Sequence, residues 1–389
     1  MATVSFLASR AAPTGGFWIA LAGGVALARV AQLRGLRQGF GASLAATIES
    51  VAIMGPARFG VPFTQAITAP MLGRLEARGV RPALQWLACA AGRLANNTLA
   101  TAFFIWITGL DAYSGTYESV GGRIGLDLGT REALILTGLG LLGWSGFASA
   151  VQVGVYRRGL ARWPDREPAG EPANAHDADS VPHPHRFDPR AVVAAAAVAF
   201  ALLLASTDWI VLAAAGGWLV VAFAACRPDP QFLPTGLVLT ALIAGSVLAF
   251  GLFGGLGLET TGRRSLRAAL LVLVATWLRA AAGADGLREV SRRALHRLRR
   301  VPSLPEAARI LDELSSEGRL LAAGRALTDR LGGVRRRPTP IVDAVLDWVS
   351  HEAGRFRARA AAPVGALHAR PADALLVLFA AAPAGALLG

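Results

Sequence analysis

The sequence predicts an all-α, polytopic membrane protein, and three observations carry that prediction. Of 389 residues, 53% are hydrophobic and only 17% charged. The apolar residues are concentrated rather than dispersed: residues 191–206, 209–226 and 231–258 hold no charged side chain, and such runs read as membrane spans. The positive charge is also unevenly placed. Between Arg279 and Arg370 there are 18 Arg against 10 Asp plus Glu, a net of +8, in a stretch without a long apolar run. Beside spans, the positive-inside rule assigns such a segment to the cytoplasmic face. All 39 basic residues are Arg, as a GC-rich coding sequence favours. No aromatic-interleaved or zinc-finger pattern accompanies them, so nucleic acid is not an expected partner.

About nine membrane segments follow. The first is Ala11–Ala28, and Arg29, Arg34 and Arg37 mark its cytoplasmic end. Arg74, Arg78 and Arg81 form a second cytoplasmic patch, so Phe40–Leu72 must leave and return. Pro56, Pro62 and Pro70 each remove a backbone donor, and the stretch reads as a broken hairpin with Arg58 near its turn. Broken helices at membrane depth are tolerated only against protein or a cavity. Spans at Ala83–Thr108 and Ala133–Val155 complete an N-terminal domain, residues 1–155. The Gly-rich, nearly neutral stretch Asp111–Glu132 reads as an external loop.

Residues 156–190 combine Pro, acidic residues and His176, His183 and His185, which suits a solvated cytoplasmic linker. The His cluster leaves metal binding as the alternative. A second domain, residues 191–389, begins with spans Ala191–Ser206, Trp209–Cys226, Leu233–Leu258 and Leu266–Ala284. It closes with the short apolar run Asp373–Leu388. Between them lie amphipathic helices, residues 285–370. Leu287, Val290, Ala294, Leu298 and Val301 form one apolar stripe with Arg288 and Arg292 among its flanks. Ser303 to Glu306 matches a capping box opening a helix towards Leu331, roughly 40 Å long if continuous at about 1.5 Å per residue. Thr339 and Pro340 start a third helix. Such helices suit either transmission of motion to a soluble partner or binding along the lipid surface.

Glu49, Arg93, Asn96 and Asn97 fall inside spans, where ionisable groups are functional candidates by default. Glu49 can pair with Arg58 or Arg93, making Glu49, Arg58, Arg93 and Asn97 a candidate polar site in the membrane. A purely structural pair, or a misplaced span boundary, is the alternative. No metal site or cofactor is expected.

The second half resembles the T component, the transmembrane coupling subunit, of energy-coupling factor transporters. The residues that carry this are Arg186-Phe-Asp-Pro-Arg190 before four spans, Gly324-Arg325-Ala326 and Gly354-Arg355-Phe356 in the basic segment, and Leu367–Arg370 with Asp373 before a terminal span. The resemblance covers about 200 of the 389 residues. The Lys usual after Asp-Pro-Arg is missing, and the first X-Arg-X lacks its usual Ala-Arg-Gly form. It implies a plasma-membrane subunit of an ATP-driven importer of a vitamin or metal ion. Its partners would be ATP-binding-cassette ATPase subunits, gripped through Arg325 and Arg355, and a substrate-binding membrane subunit, besides the lipid bilayer. Lacking any Lys, the chain has no phosphate-binding loop of its own. A polytopic membrane enzyme and an ATPase-independent permease or scaffold are the competing readings.

Overall fold

The computed structural model describes the chain apart from residues 12–14, 60–63, 164–186, 227–231, 299, 314–316, 335–336, 354–369 and 385–389. The described residues are helical, with no strand. The N-terminal half comprises α1 (Ala2–Ala11), α2 (Gly16–Arg34), α3 (Leu36–Met54), the single turn α4 (Pro56–Phe59), α5 (Thr64–Ala77), α6 (Pro82–Thr108), α7 (Leu110–Arg123) and α8 (Thr130–Arg162). The C-terminal half comprises α9 (Pro189–Ala205), α10 (Trp209–Cys226), α11 (Phe232–Phe253), α12 (Leu258–Arg297), α13 (Ser303–Glu313), α14 (Glu317–Gly332), α15 (Pro338–Ala353) and α16 (Pro371–Ala381), which ends in a 3₁₀ turn at Ala382–Ala384.

Five helices, α2, α8, α10, α11 and α12, are long and apolar enough to cross a membrane, so the chain is a polytopic helical membrane protein. Their outward faces are apolar: α11 exposes Leu237, Val238, Leu242 and Phe253, and α8 exposes Leu136, Leu139, Leu142 and Phe147. In water such a surface would drive association; in a bilayer it meets acyl chains. Of the nine segments expected, α9 and the terminal α16 are short apolar helices.

The sequence reading needs correction in four places. Helix α1 was missed, because ten residues are too few for a span; Val4, Phe6 and Ser5 are fully buried against α2, α3 and α14. The expected loop 111–132 contains α7. Its Gly115 lies so close to the Gly254 carbonyl that a Cβ would stand 2.4 Å away, so this glycine permits close packing rather than a turn. Helix α8 continues to Arg162, and Tyr156, placed in the linker, is buried within it. Arg157 pairs with Glu76 (3.4 Å) and Arg162 with Asp343 (3.0 Å), which anchors the extension. The expected helix opens at Ser303 with α13, and α14 reaches Gly332; residues 314–316 between them lie outside the described residues, and Glu306 pairs with Arg37 at 3.0 Å. Leu298 and Val301, expected to be covered, are exposed, while Arg288 and Glu289 are buried.

The two largest of four hydrophobic centres hold the bundle. One joins α1, α2, α5 and α8 to Leu320 and Leu327 of α14 and to Val345, Leu346 and Val349 of α15. The apolar faces of these two amphipathic helices are therefore covered by the N-terminal half. The other centre lies among α9, α10, α12 and α16, around the edge-to-face pair Trp218–Trp277 with ring centroids 5.1 Å apart. Helix α12 is the spine: it packs on α9, α10 and α11 of its own half and on α3, α4 and α6 of the other. Gly283, at φ +67°, kinks it, a conformation open to glycine at little cost.

Candidate functional site

The four polar residues singled out from the sequence do not form one site. Glu49, fully buried in α3, pairs with neither Arg58 nor Arg93. Its Oε2 accepts a hydrogen bond from Arg288 Nε at 2.7 Å and its Oε1 one from Arg288 NH2, a bidentate pair. Arg288 also donates to Asp285 at 3.0 Å. The correction has a simple origin: Arg288 stands 239 residues away, on a helix whose arginines read as a solvated flank until the two halves are packed together.

Arg93 sits in a second buried cluster among α5, α6 and α8. The Gln152 carbonyl oxygen accepts from Arg93 NH2 at 2.7 Å, from the Cys89 thiol at 3.1 Å and from Thr68 at 3.2 Å, and the Gln152 amide donates to Thr68 at 2.8 Å. Arg93 Nε, Ser149 Oγ and Tyr156 Oη are buried there with no hydrogen-bond partner at bonding geometry among the described residues. Asn96 donates to Thr64 at 3.2 Å and Asn97 to Ser145 at 3.5 Å; these amides tie α6 to α5 and α8.

Arg58 marks a third place, at the helix break that Pro56 foretold; Pro70, expected to break a helix, lies inside α5, and Pro62 is outside the described residues. Helix α3 ends at Gly55, whose φ of +83° few other residues adopt, and Pro56 opens α4. The end of α3 leaves carbonyls without intrahelical partners; Arg279 of α12 covers one, donating from Nε to the Ile53 carbonyl at 2.9 Å. Beside this break lies a cavity of about 270 Å³, near the lower size of small-molecule sites. It is walled by α3 and α4 on one side and by α11 and α12 on the other, and Arg58, Arg279, Thr235 and Thr276 supply its polar lining.

Arg279 belongs to a larger pattern. Near the other end of α12, Arg264 donates to the Thr108 carbonyl at 2.7 Å and holds Asp111 with two bonds of 2.9 and 3.1 Å. Arg267 donates to the Ile107 carbonyl at 2.6 Å. These cations sit at the C-terminus of α6, where the helix dipole and unsatisfied carbonyls favour them. By helical rise Arg279 lies about 22 Å along α12 from Arg264, less than the roughly 30 Å thickness of a hydrocarbon layer. Sequence reasoning missed Arg267 and Arg279, although both fall in the span expected at Leu266–Ala284 and carry the signal that selected Glu49 and Arg93.

The motifs behind the family resemblance fare differently. Asp188 caps α9, accepting from the Arg190 backbone N–H at 2.8 Å, and pairs with the Arg190 guanidinium at 2.7 Å. The Arg190 side-chain hydrogen bonds, with the backbone bond and the charge behind them, hold the Asp188 carboxyl below the usual carboxylate range. Its own backbone N–H donates to Asp373 at 2.9 Å, while the other Asp373 oxygen accepts from the Arg370 N–H at 2.6 Å. Segments 185 residues apart are thereby joined at the starts of α9 and α16. Arg325 is exposed on α14. Arg355, like His176, His183 and His185, lies outside the described residues. Among the described residues no group of His, Cys, Asp and Glu is arranged to hold a metal ion.

Fold and site together define an all-α polytopic membrane protein with a cationic cavity at a helix break between its halves. No family model, curated protein or solved structure matches the chain.

Proposed function

We infer that the chain is the membrane subunit of a plasma-membrane transporter and that its substrate rests in the cavity at the α3–α4 break. The observation that carries this reading is irregular backbone between α3 and α4 beside a cavity that the candidate spans α11 and α12 also line, the setting in which a broken helix is tolerated and used. The described lining offers guanidinium and hydroxyl groups but no carboxylate, imidazole or thiol. The described lining thus holds no general base to activate those hydroxyls, which favours transport over a membrane enzyme.

Energy input is the part that leans on the family resemblance. In this proposal partner ATP-binding-cassette subunits dock on the basic helical segment, with Arg325 and Arg355 as contacts. The support is that α14 spends Leu320 and Leu327 on the N-terminal core while leaving Arg325 outside. A rigid five-donor guanidinium suits a joint with carboxylates and carbonyls.

Purification in mild detergent tests both parts. An ATPase should co-purify with the unmutated chain, be lost from Arg325→Ala/Arg355→Ala, and be retained by Arg335→Ala/Arg336→Ala, which removes equal charge. Recovery of no ATPase with the unmutated chain refutes the coupling. For the cavity, a cysteine at Ala57, in a chain lacking Cys89 and Cys226, should react with a water-soluble maleimide; an inert thiol there refutes the substrate path.

A further inference from the structure

The corner of the bundle where α5, α6 and α8 meet carries a surface that the transport reading does not use. We propose that it binds an anionic phospholipid, with Arg78 and Arg81 on the headgroup phosphate and the exposed Leu84, Trp86 and Leu87 against the acyl chains. The inference stands apart from the transport reading and does not depend on it.

Charge is the first argument. Arg74, Arg78 and Arg81 lie at the turn from α5 into α6. Arg157 of α8 pairs with Glu76 of α5 at 3.4 Å, which brings Arg158 and Arg162 to the same corner. The carboxylates that pair with these arginines among the described residues are Glu76, and Asp343 of α15, which Arg158 and Arg162 share at 3.3 and 3.0 Å. Glu76 is already engaged twice, since its other oxygen accepts from the Gln85 amide at 2.6 Å. Arg78 and Arg81 are exposed, and neither makes an ion pair among the described residues. A cluster of arginines at the end of a span attracts anionic headgroups, and α8 is long and apolar enough to be that span.

Depth is the second argument. Arg81 stands immediately before α6, and Leu84, Trp86 and Leu87, all exposed, follow about 5–9 Å further along its axis. That offset matches a headgroup layer of roughly 5–8 Å per leaflet. The Trp86 indole N–H donates to the Gly146 carbonyl of α8 at 2.8 Å, which fixes the ring beside the charges, the neighbour that a membrane interface favours. Helix α8 repeats the order, running past exposed Leu142 and Phe147 to exposed Arg157 and Arg158. A soluble anion would use the charges and leave these apolar residues bare, whereas a phospholipid covers both. The turn itself is preformed: buried Gln85 also donates to the Val80 carbonyl at 2.9 Å, and Gly79 takes a φ of +65° that glycine adopts at little cost. The two guanidiniums therefore stand on fixed backbone, which lowers the ordering cost of binding.

The full chain in phosphatidylcholine nanodiscs with a minor share of phosphatidylglycerol tests this, native mass spectrometry reading which lipid stays bound. Phosphatidylglycerol should be retained over phosphatidylcholine. That preference should fall about fivefold for each arginine lost in Arg78→Gln and Arg81→Gln, and should weaken with salt. Arg131→Gln, an exposed charge at the opposite end of α8, should change it by less than twofold. Both test positions are exposed and outside the ion pairs described, so the variants should keep the helical content of the unmutated chain by circular dichroism. Equal retention of the two lipids, or a preference that survives loss of both arginines, overturns the proposal. Full displacement of the lipid by water-soluble glycerol 3-phosphate would assign the patch to a soluble anion and overturn it as well. So would a double variant that sheds a co-purifying protein while its lipid preference is unchanged, since the patch would then be a protein dock.

Discussion

Breaking the Glu49–Arg288 pair should have an asymmetric effect. Both side chains are buried, Glu49 completely, and the two helices they join belong to opposite halves of the chain. Removing one partner of a buried pair leaves the other charge desolvated and costs about 3–5 kcal/mol, whereas replacing both with apolar residues of similar volume is often neutral. The geometry ranks the single variants. Without Glu49, Arg288 keeps Asp285 at 3.0 Å, so Glu49→Ala should sit near the lower value, about 3 kcal/mol. Without Arg288, the described residues offer the Glu49 carboxylate no other cation, so Arg288→Ala should approach about 5 kcal/mol. Glu49→Leu combined with Arg288→Met should cost less than either single change, roughly 1 kcal/mol or below. Unfolding in mixed dodecyl maltoside and SDS micelles, followed by circular dichroism, gives the four free energies. Single-variant losses below about 1 kcal/mol are the size of an exposed pair and would refute the buried lock. Additive losses in the double variant would refute the coupling between the halves.

Helix packing and pH supply two further tests. A Cβ on Gly73 would meet the Ala28 carbonyl oxygen at 1.9 Å, and one on Gly24 would meet Tyr156 Oη at the same distance. Overpacking of this kind costs roughly 1–3 kcal/mol. Tyr156→Phe should relieve Gly24→Ala, because the clashing atom is a hydroxyl with no hydrogen bond at bonding geometry among the described residues, and should leave Gly73→Ala unchanged, because that clash is with backbone; the same micelle unfolding assay decides, and equal rescue of both would overturn the packing. Arg190 depresses the folded pKa of Asp188, so its stabilisation is fully present above the ordinary carboxylate value of about 4 and fades as pH falls through the lower folded value. The stability gap between the unmutated chain and Asp188→Asn should therefore persist at pH 7 and close in acid; a gap that widened below pH 4 would reverse the sign and refute the assignment.

Much of the architecture was legible along the chain because a membrane span is a local property. A run such as Trp209–Cys226 has only one environment that suits it, and α10 occupies that same range. The proline spacing around Pro56 likewise announced a break, since a residue without a backbone donor interrupts a helix wherever the chain goes. What composition concealed was the use of glycine and arginine. Gly115 read as loop because the reason for its lack of a side chain, the Gly254 backbone, lies across the bundle. Arg288 read as a solvated flank because its carboxylate is on α3, and Arg279 read as one more arginine because the helix end it covers exists only where α3 breaks. The sequence by itself determined the helical membrane class, the long apolar helices and the position of the α3–α4 break. Tertiary structure alone decided that α12 joins the halves, which charges are paired, and that a cationic cavity lies at the break. The physical reason is range: hydrophobic length and helix breaking act on neighbours along the chain, whereas burial of a charge is settled by whatever residue, however distant in sequence, is packed against it.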